Sequence, residues 1–105
     1  MAIIVMTWQN PSDQVKAVSS DKRAAEWRNV VLKQKGIVEY NAFSGISTGK
    51  DMAVDTFRSS EDAAAFLGSK DFSAIVSEMR SLGVTEIDVN ILDQHPDVKS
   101  ALRPA

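Results

Sequence analysis

A two-part helical pattern between Phe57 and Leu92 constrains the fold of this chain more than any other feature. Apolar residues recur at helical spacing in two runs, from Ala63 to Leu67 and from Phe72 to Leu82. The segment Gly68-Ser69-Lys70 separates the runs and interrupts their spacing. The pattern therefore predicts two consecutive helices, each of which buries one apolar stripe.

Sequence signals also mark where these helices and the next strand begin and end. Ser59 and Ser69 each precede a helical run, where a serine hydroxyl can accept a hydrogen bond from a first-turn N–H group. Gly83 follows the last apolar position, where glycine adopts the left-handed closing conformation at little cost. From Val84 to Leu92 apolar and polar residues alternate, which predicts a strand with one apolar side.

The N-terminal half begins with a continuous apolar run, Ala2 to Trp8, that is typical of a central strand buried on both faces. A helix is expected between Ser12 and Gln34, and its apolar spacing is clearest from Ser20 onward. Its start remains open at this stage, because Ser12-Asp13 and Ser20-Asp21 are both suitable caps.

Two strand-like runs, Ile37 to Ile46 and Met52 to Phe57, complete the set of elements. The order is strand, helix, strand, strand, helix, strand, with the second helical region in two pieces. Right-handed crossovers then predict an α+β fold of the ferredoxin-like βαββαβ type, with both helical regions on one face of a four-stranded antiparallel sheet.

The hairpin between the second and third strands has a predicted register. Gly49 supplies the positive φ that such a turn needs, and pairing Ile46 with Asp51 places Phe43 opposite Val54. Asn41 would then lie opposite Thr56, on the sheet face that does not carry Tyr40 and Asp55.

The helices leave one sheet face uncovered, and the first strand is apolar on both sides. We therefore expect the open face to meet a second copy of the sheet in a homodimer, the dimeric α/β barrel arrangement. The alternative is a monomer whose tail covers this face. Residues 1–93 are expected to form the domain and residues 94–105 a C-terminal tail.

Composition limits the remaining classes of function. The chain has 105 residues, 44% of them hydrophobic, and a net charge of −2 with no basic block, so nucleic acid and acidic membranes are not expected partners. It contains no cysteine, which is compatible with a reducing compartment. The apolar start, Ala2 to Met6, is too short for a signal peptide or a membrane span, and a cytoplasmic location is expected.

Several of these residues resemble a known family. Thr56 to Asp62, then Phe66 to Ser69 with Phe72, followed by a helix and a strand, are similar to the dimeric α/β-barrel superfamily, in particular to antibiotic-biosynthesis-monooxygenase-like (ABM) domains. The order of elements agrees from Ala2 to Leu92. The resemblance implies a ligand pocket between sheet and helices, and its members include cofactor-independent oxygenases, haem-degrading enzymes, isomerases and proteins without an assigned activity.

The haem-degrading branch of that superfamily uses an Asn on the first strand and a Trp and a His on the second helix. Here Phe66 lies near the Trp position, Ile75 or Val76 near the His position, and the first strand offers Thr7 and Trp8. The resemblance therefore implies neither haem degradation nor haem ligation, and no cofactor is expected.

Four residues are candidates for the pocket: Trp8 on the first strand, Trp27 on the first helix, Tyr40 on the second strand and Asp55 on the third. We expect the three aromatic residues to bind a ligand and Asp55 to act as the proton acceptor. Each has a structural alternative, because Trp27 also falls on an apolar stripe and Tyr40 and Asp55 could be exposed edge residues.

No metal site is expected, because His95 is the only histidine and it follows the last strand. The leading hypothesis is a homodimeric protein that binds a small apolar or aromatic molecule, with a possible cofactor-independent monooxygenase activity. The alternative is a non-catalytic dimeric binding or stress-related module, in which the same aromatic residues form the core. An isomerase or decarboxylase is a third class, which needs an acid or base inside the cavity.

Overall fold

The computed structural model describes residues 1–95, which form four strands and three helices. They are β1 (Ala2–Gln9), α1 (Gln14–Leu32), β2 (Ile37–Ser44), β3 (Lys50–Phe57), α2 (Ser60–Leu67), α3 (Lys70–Ser81) and β4 (Thr85–Asp93). This order confirms the predicted ferredoxin-like βαββαβ arrangement, with the second helical region divided into α2 and α3. The predicted tail, residues 94–105, lies almost entirely outside the described residues.

The helix boundaries follow from side chains that cap the backbone. Ser59 Oγ accepts a hydrogen bond from the N–H of Asp62 at 3.1 Å, and Ser69 Oγ accepts one from the N–H of Phe72 at 3.1 Å. Gly83 has a φ of +87° beyond the end of α3, the left-handed conformation expected there. These contacts confirm that α2 and α3 are separate helices with their own N-terminal caps.

Helix α1 begins at the earlier of its two possible caps. Asp13 Oδ1 accepts a hydrogen bond from the N–H of Lys16 at 2.9 Å, whereas Ser20 lies buried within the helix. The first two turns expose Val15 and Val18, so they have no apolar stripe that sequence spacing could detect.

The four strands form one antiparallel sheet in the order β2-β3-β1-β4, which confirms β1 as a central strand. The predicted register of the β2–β3 hairpin is wrong by two residues, because Phe43 pairs with Met52 rather than Val54. Strand β2 ends at Ser44, and Ile46 leaves the ladder with 91% of its surface exposed. A slip of two residues keeps every side chain on its predicted face, so the alternating pattern could not exclude it.

One face of the sheet carries all three helices and the core. Its fully buried side chains include Ile4 on β1 and Phe57 on β3, and Phe57 stacks on Phe66 of α2 with ring centroids 6.0 Å apart. Helix α2 packs on β1, β3 and β4, whereas α3 packs against α1 and α2, and α1 contacts the sheet mainly at β2. The arch formed by α1 and α3 therefore stands off the sheet.

The opposite face of the sheet is uncovered in the single chain. We define the open face by the outward residues of the four strands, whose apolar members are Ile3, Val5, Phe43, Met52, Val54 and Leu92. Within residues 1–95, no helix combines the length and the apolar character needed to cross a membrane.

Candidate functional site

A cavity lies under the arch of α1 and α3, against the helix-covered face of the sheet. The empty space between its walls measures about 620 Å³, part of which is open to solvent. Its walls are mainly apolar, with aromatic and methionine side chains from the sheet and all three helices. They include Met6, Trp8, Ala24, Trp27, Val31, Tyr40, Ala53, Phe66, Phe72, Ile75 and Met79.

All four residues predicted for a pocket line this cavity: Trp8, Trp27, Tyr40 and Asp55. They reach it from β1, α1, β2 and β3, because the strand residues share the helix-covered face and Trp27 lies on the inner face of α1. The three aromatic residues also pack against the core while remaining half-buried. Trp27 therefore belongs both to the core stripe of α1 and to the cavity wall.

Asp55 is the one buried carboxylate at this site. Only 6% of its surface is exposed, and its Oδ1 atom has no hydrogen-bond partner among the described residues. Burial raises the pKa of Asp55 to about 6, because the ionised form loses its hydration. The expectation of an exposed edge residue is therefore wrong for Asp55, which lies on a strand with neighbours on both sides.

Tyr40 lies directly across the ladder from Asp55, on edge strand β2. Burial raises the pKa of the Tyr40 phenol, and the nearby carboxylate of Asp55 raises it further, while Arg28 lowers it. The phenol therefore stays protonated at neutral pH and is available as a hydrogen-bond donor or acceptor. The two-residue correction of the hairpin register is what makes this pair directly adjacent.

The two tryptophans have their indole N–H groups engaged in hydrogen bonds. Trp8 Nε1 donates to Asn10 Oδ1 at 3.1 Å, and Trp27 Nε1 donates to Glu78 Oε1 on α3 at 2.6 Å. Glu78 also accepts from Arg23 Nε at 2.7 Å, and these two donors lower the pKa of Glu78. Trp27 is thereby held between α1 and α3, at the arch that forms the cavity roof.

Sequence reasoning missed several polar residues of the cavity: Asn10, Asp21, Arg28 and Asp51. The spacing of α1 contained a signal for Arg28, which follows Ala24 by four residues and precedes Val31 by three, the spacing of one helix face. Arg28 is exposed to solvent and also lines the cavity. Asp51 becomes predictable only with the pairing of β3 and β1, which places it opposite Trp8.

The cavity has no concentration of metal ligands. Within residues 1–95, no group of three or more His, Asp or Glu side chains could hold a metal ion. His95 is exposed after β4 and does not line the cavity.

Solved structures of the same fold cover nearly all of this chain. SnoaB, a cofactor-independent oxygenase from Streptomyces nogalater, superposes with a TM-score of 0.72 at 8% identity, over 94% of this chain and 97% of SnoaB. Rv0793 from Mycobacterium tuberculosis gives 0.72 at 12% identity, over 94% and 100%. A candidate antibiotic biosynthesis monooxygenase from Caulobacter crescentus gives 0.73 at 17% identity, over 90% and 89%.

The fold is that of the ABM-like domains. No protein-family model and no curated protein sequence matches this chain, so the likeness is one of structure. Identities of 8–17% establish a shared fold and leave the chemistry to be argued from the residues of the cavity.

The cavity combines three properties of a binding site. It is concave, its walls are mainly apolar, and its polar groups include a buried carboxylate whose Oδ1 atom has no hydrogen-bond partner within residues 1–95. A carboxylate whose pKa is near 6 is ionised at neutral pH and is a stronger base than an exposed aspartate. The arrangement can therefore bind a flat molecule and accept one proton from it.

Proposed function

We propose that this protein is a small homodimeric α/β-barrel protein that binds a small aromatic molecule in the cavity and oxidises it with molecular oxygen, as a cofactor-independent monooxygenase. The observation that carries the proposal is the buried carboxylate of Asp55, unpartnered in the wall of an aromatic cavity. Such a group costs stability, which is typical of residues kept for function.

In the proposed reaction, Asp55 accepts a proton from a bound electron-rich substrate. The resulting electron-rich conjugate base passes electrons to molecular oxygen, and a carbon–oxygen bond forms. One oxygen atom stays in the product as a carbonyl group, and the other leaves as water with two hydrogens of the substrate. This balance needs no external reductant, so no protein cofactor is required.

The aromatic side chains have a positioning role in this proposal. Trp8, Trp27 and Tyr40 provide flat apolar surfaces that hold a ring against Asp55 and limit the access of water. The Tyr40 phenol, opposite Asp55 on the ladder, is suited to donate a hydrogen bond to negative charge that develops on the substrate.

Homodimerisation through the open face is part of the proposal. Its support is the row of outward apolar residues on four adjacent strands, including Phe43 with 57% of its surface exposed. Soluble monomers rarely leave an apolar sheet face uncovered, and a second copy offers a face of the same shape and chemistry.

The proposal is tested by ligand screening followed by oxygen uptake. Polycyclic phenols, quinols and aromatic amines are screened by thermal shift, since a ligand of the folded state raises the melting temperature by mass action. Compounds that bind are then tested with an oxygen electrode. Turnover by the native protein and its loss in Asp55→Asn support the proposal.

The matched control is Glu61→Gln, the same change from carboxylate to amide at an exposed position in the first turn of α2, away from the cavity lining and the open face. It should keep both binding and turnover. Unchanged turnover in Asp55→Asn would exclude Asp55 as the proton acceptor. Saturable binding without oxygen uptake by any bound compound would favour the non-catalytic binding module.

A further inference from the structure

The side chains that line the cavity carry more negative than positive charge. Three carboxylates line it, Asp21 on α1 and Asp51 and Asp55 on β3, whereas Arg28 is the one cationic side chain among its lining residues in the described part of the chain. Helices α2 and α3 contribute only apolar side chains to the wall. An excess of carboxylates in a partly enclosed apolar site favours ligands with a positive charge.

The charge of Arg28 does not compensate Asp55. Arg28 acts on the Tyr40 phenol and lowers its pKa, whereas the pKa of Asp55 is governed by burial. Arg23 pairs with Glu26 and Glu78, and Lys50 pairs with Glu86, so these cations are engaged by other carboxylates. Within residues 1–95, the Oδ1 atom of Asp55 has no hydrogen-bond donor.

The aromatic walls of the cavity also favour cationic ligands. Because the N–H groups of Trp8 and Trp27 donate to Asn10 and Glu78, neither indole N–H is left as a donor for an anionic ligand. What these indoles offer to a bound molecule is the ring surface, whose negative face attracts cations.

We infer that the cavity selects aromatic amines and nitrogen heterocycles in their N-protonated form, whose N–H group donates a hydrogen bond to the carboxylate of Asp55. The inference rests on the proposed function, because it names the substrate class of the same cavity. The proton that Asp55 accepts is then the N–H proton. Its transfer leaves a neutral, electron-rich nitrogen on the ring, and no bond other than N–H and O–H changes in this step.

Three probes with the same two-ring outline test the inference: isoquinoline, 2-naphthol and naphthalene-2-carboxylate. They carry a basic nitrogen, a neutral hydroxyl group and an anion. Binding is measured by titration calorimetry at pH 6 on the native protein, on Asp55→Asn and on Glu61→Gln. Circular dichroism verifies that each variant is folded.

Isoquinoline is expected to bind the native protein at least about tenfold more tightly than 2-naphthol, with the carboxylate weakest. Asp55→Asn should remove this preference and Glu61→Gln should keep it. Asp51→Asn provides a second test, because removing a carboxylate from the mouth should reduce the preference for isoquinoline over naphthalene-2-carboxylate.

Two results would overturn the inference, and they are distinguishable. If 2-naphthol binds as tightly as isoquinoline, or the preference survives in Asp55→Asn, the cavity does not select basic nitrogen, and the proposed function stands with a different substrate class. If none of the three probes binds at millimolar concentration, the aromatic binding site fails and the proposed function fails with it.

Discussion

The two faces of the sheet are built from the same strands, and each places some side chains in an unfavourable environment. The helix-covered face buries a polar group, Asp55, beside an incompletely filled cavity. The open face leaves apolar groups such as Phe43 and Leu92 in contact with water. Neither arrangement maximises the stability of a single chain. The difference supports the proposal of two separate roles, ligand binding for the cavity and association with a second copy for the open face.

The largest expected effect is the loss of unfolding free energy when a phenylalanine is truncated to alanine. The dependence of this loss on protein concentration should differ between the two faces. Phe57→Ala, in the core under the helices, should cost about 3–5 kcal/mol of unfolding free energy. Phe43→Ala, on the open face, should cost less, and its cost should increase with protein concentration because it acts on the dimer. Denaturant melts at two protein concentrations measure both effects, and a concentration-independent cost for Phe43→Ala would contradict the dimer.

The helix-covered face should also have its own pH dependence. The pKa of Asp55 is about 6 in the folded protein and about 4 in an unfolded chain. Between these values the folded state binds a proton that the unfolded state has released, so unfolding free energy falls as pH rises. The total loss is about 3 kcal/mol, present in full above pH 6 and absent below pH 4.

Asp55→Asn should remove this component and stabilise the protein most at neutral pH. The free energy of unfolding is measured by urea denaturation between pH 4 and pH 8. Glu61→Gln, at an exposed position of α2, is the matched control, and its pH profile should follow that of the native protein. A native profile equal to that of Asp55→Asn would show that the buried carboxylate has no raised pKa.

A charge on the open face should separate assembly from folding. Val54→Asp puts a carboxylate on that face, one position from Asp55 along β3. We expect self-association to weaken at least about 100-fold, since a desolvated unpaired charge disfavours the interface. Light scattering across a dilution series measures the mass. Val18→Asp, at an exposed position of α1, should leave it unchanged.

The smallest effect concerns the cavity roof. Glu78 accepts the hydrogen bond of Trp27, so Glu78→Ala should let solvent reach the indole and shift its fluorescence to longer wavelength. Glu78→Gln keeps an oxygen acceptor and should show a smaller shift. A Trp8→Phe background leaves Trp27 as the sole tryptophan of the chain. Equal spectra for the two variants would indicate that this hydrogen bond does not position the ring.

Much of the fold was readable from the sequence because its signals are local. The capping serines, the break at Gly68 and the alternation of β4 each act within a few residues, and the structure agrees with them. The register of the hairpin depends on the conformation of its turn. Ser47 and Gly49 both have positive φ, and the N–H of Gly45 donates to the carbonyl of Lys50 at 2.6 Å. The hydrophobic periodicity of the sequence does not indicate these turn conformations.

The candidate site was predictable only in part, from the chemistry of its residues and the elements that carry them. Trp8, Trp27, Tyr40 and Asp55 were chosen as chemically informative residues on neighbouring elements, and all four line one cavity. Their roles in binding and proton transfer remain predictions. The burial of Asp55 was not readable, because it follows from the central position of β3 and from the height of the α1–α3 arch above the sheet.

The break between α2 and α3 also bears on how such a protein can diverge. Helix α2 is fixed to three strands, whereas α3 rests on α1 and α2 and contributes Phe72, Ile75 and Met79 to the cavity. Since each helix has its own N-terminal cap, changes in α3 need not disturb the helix that anchors the sheet. Selection can thus reshape the cavity wall through one twelve-residue segment while the packing of α2 on the sheet and the open face are inherited intact.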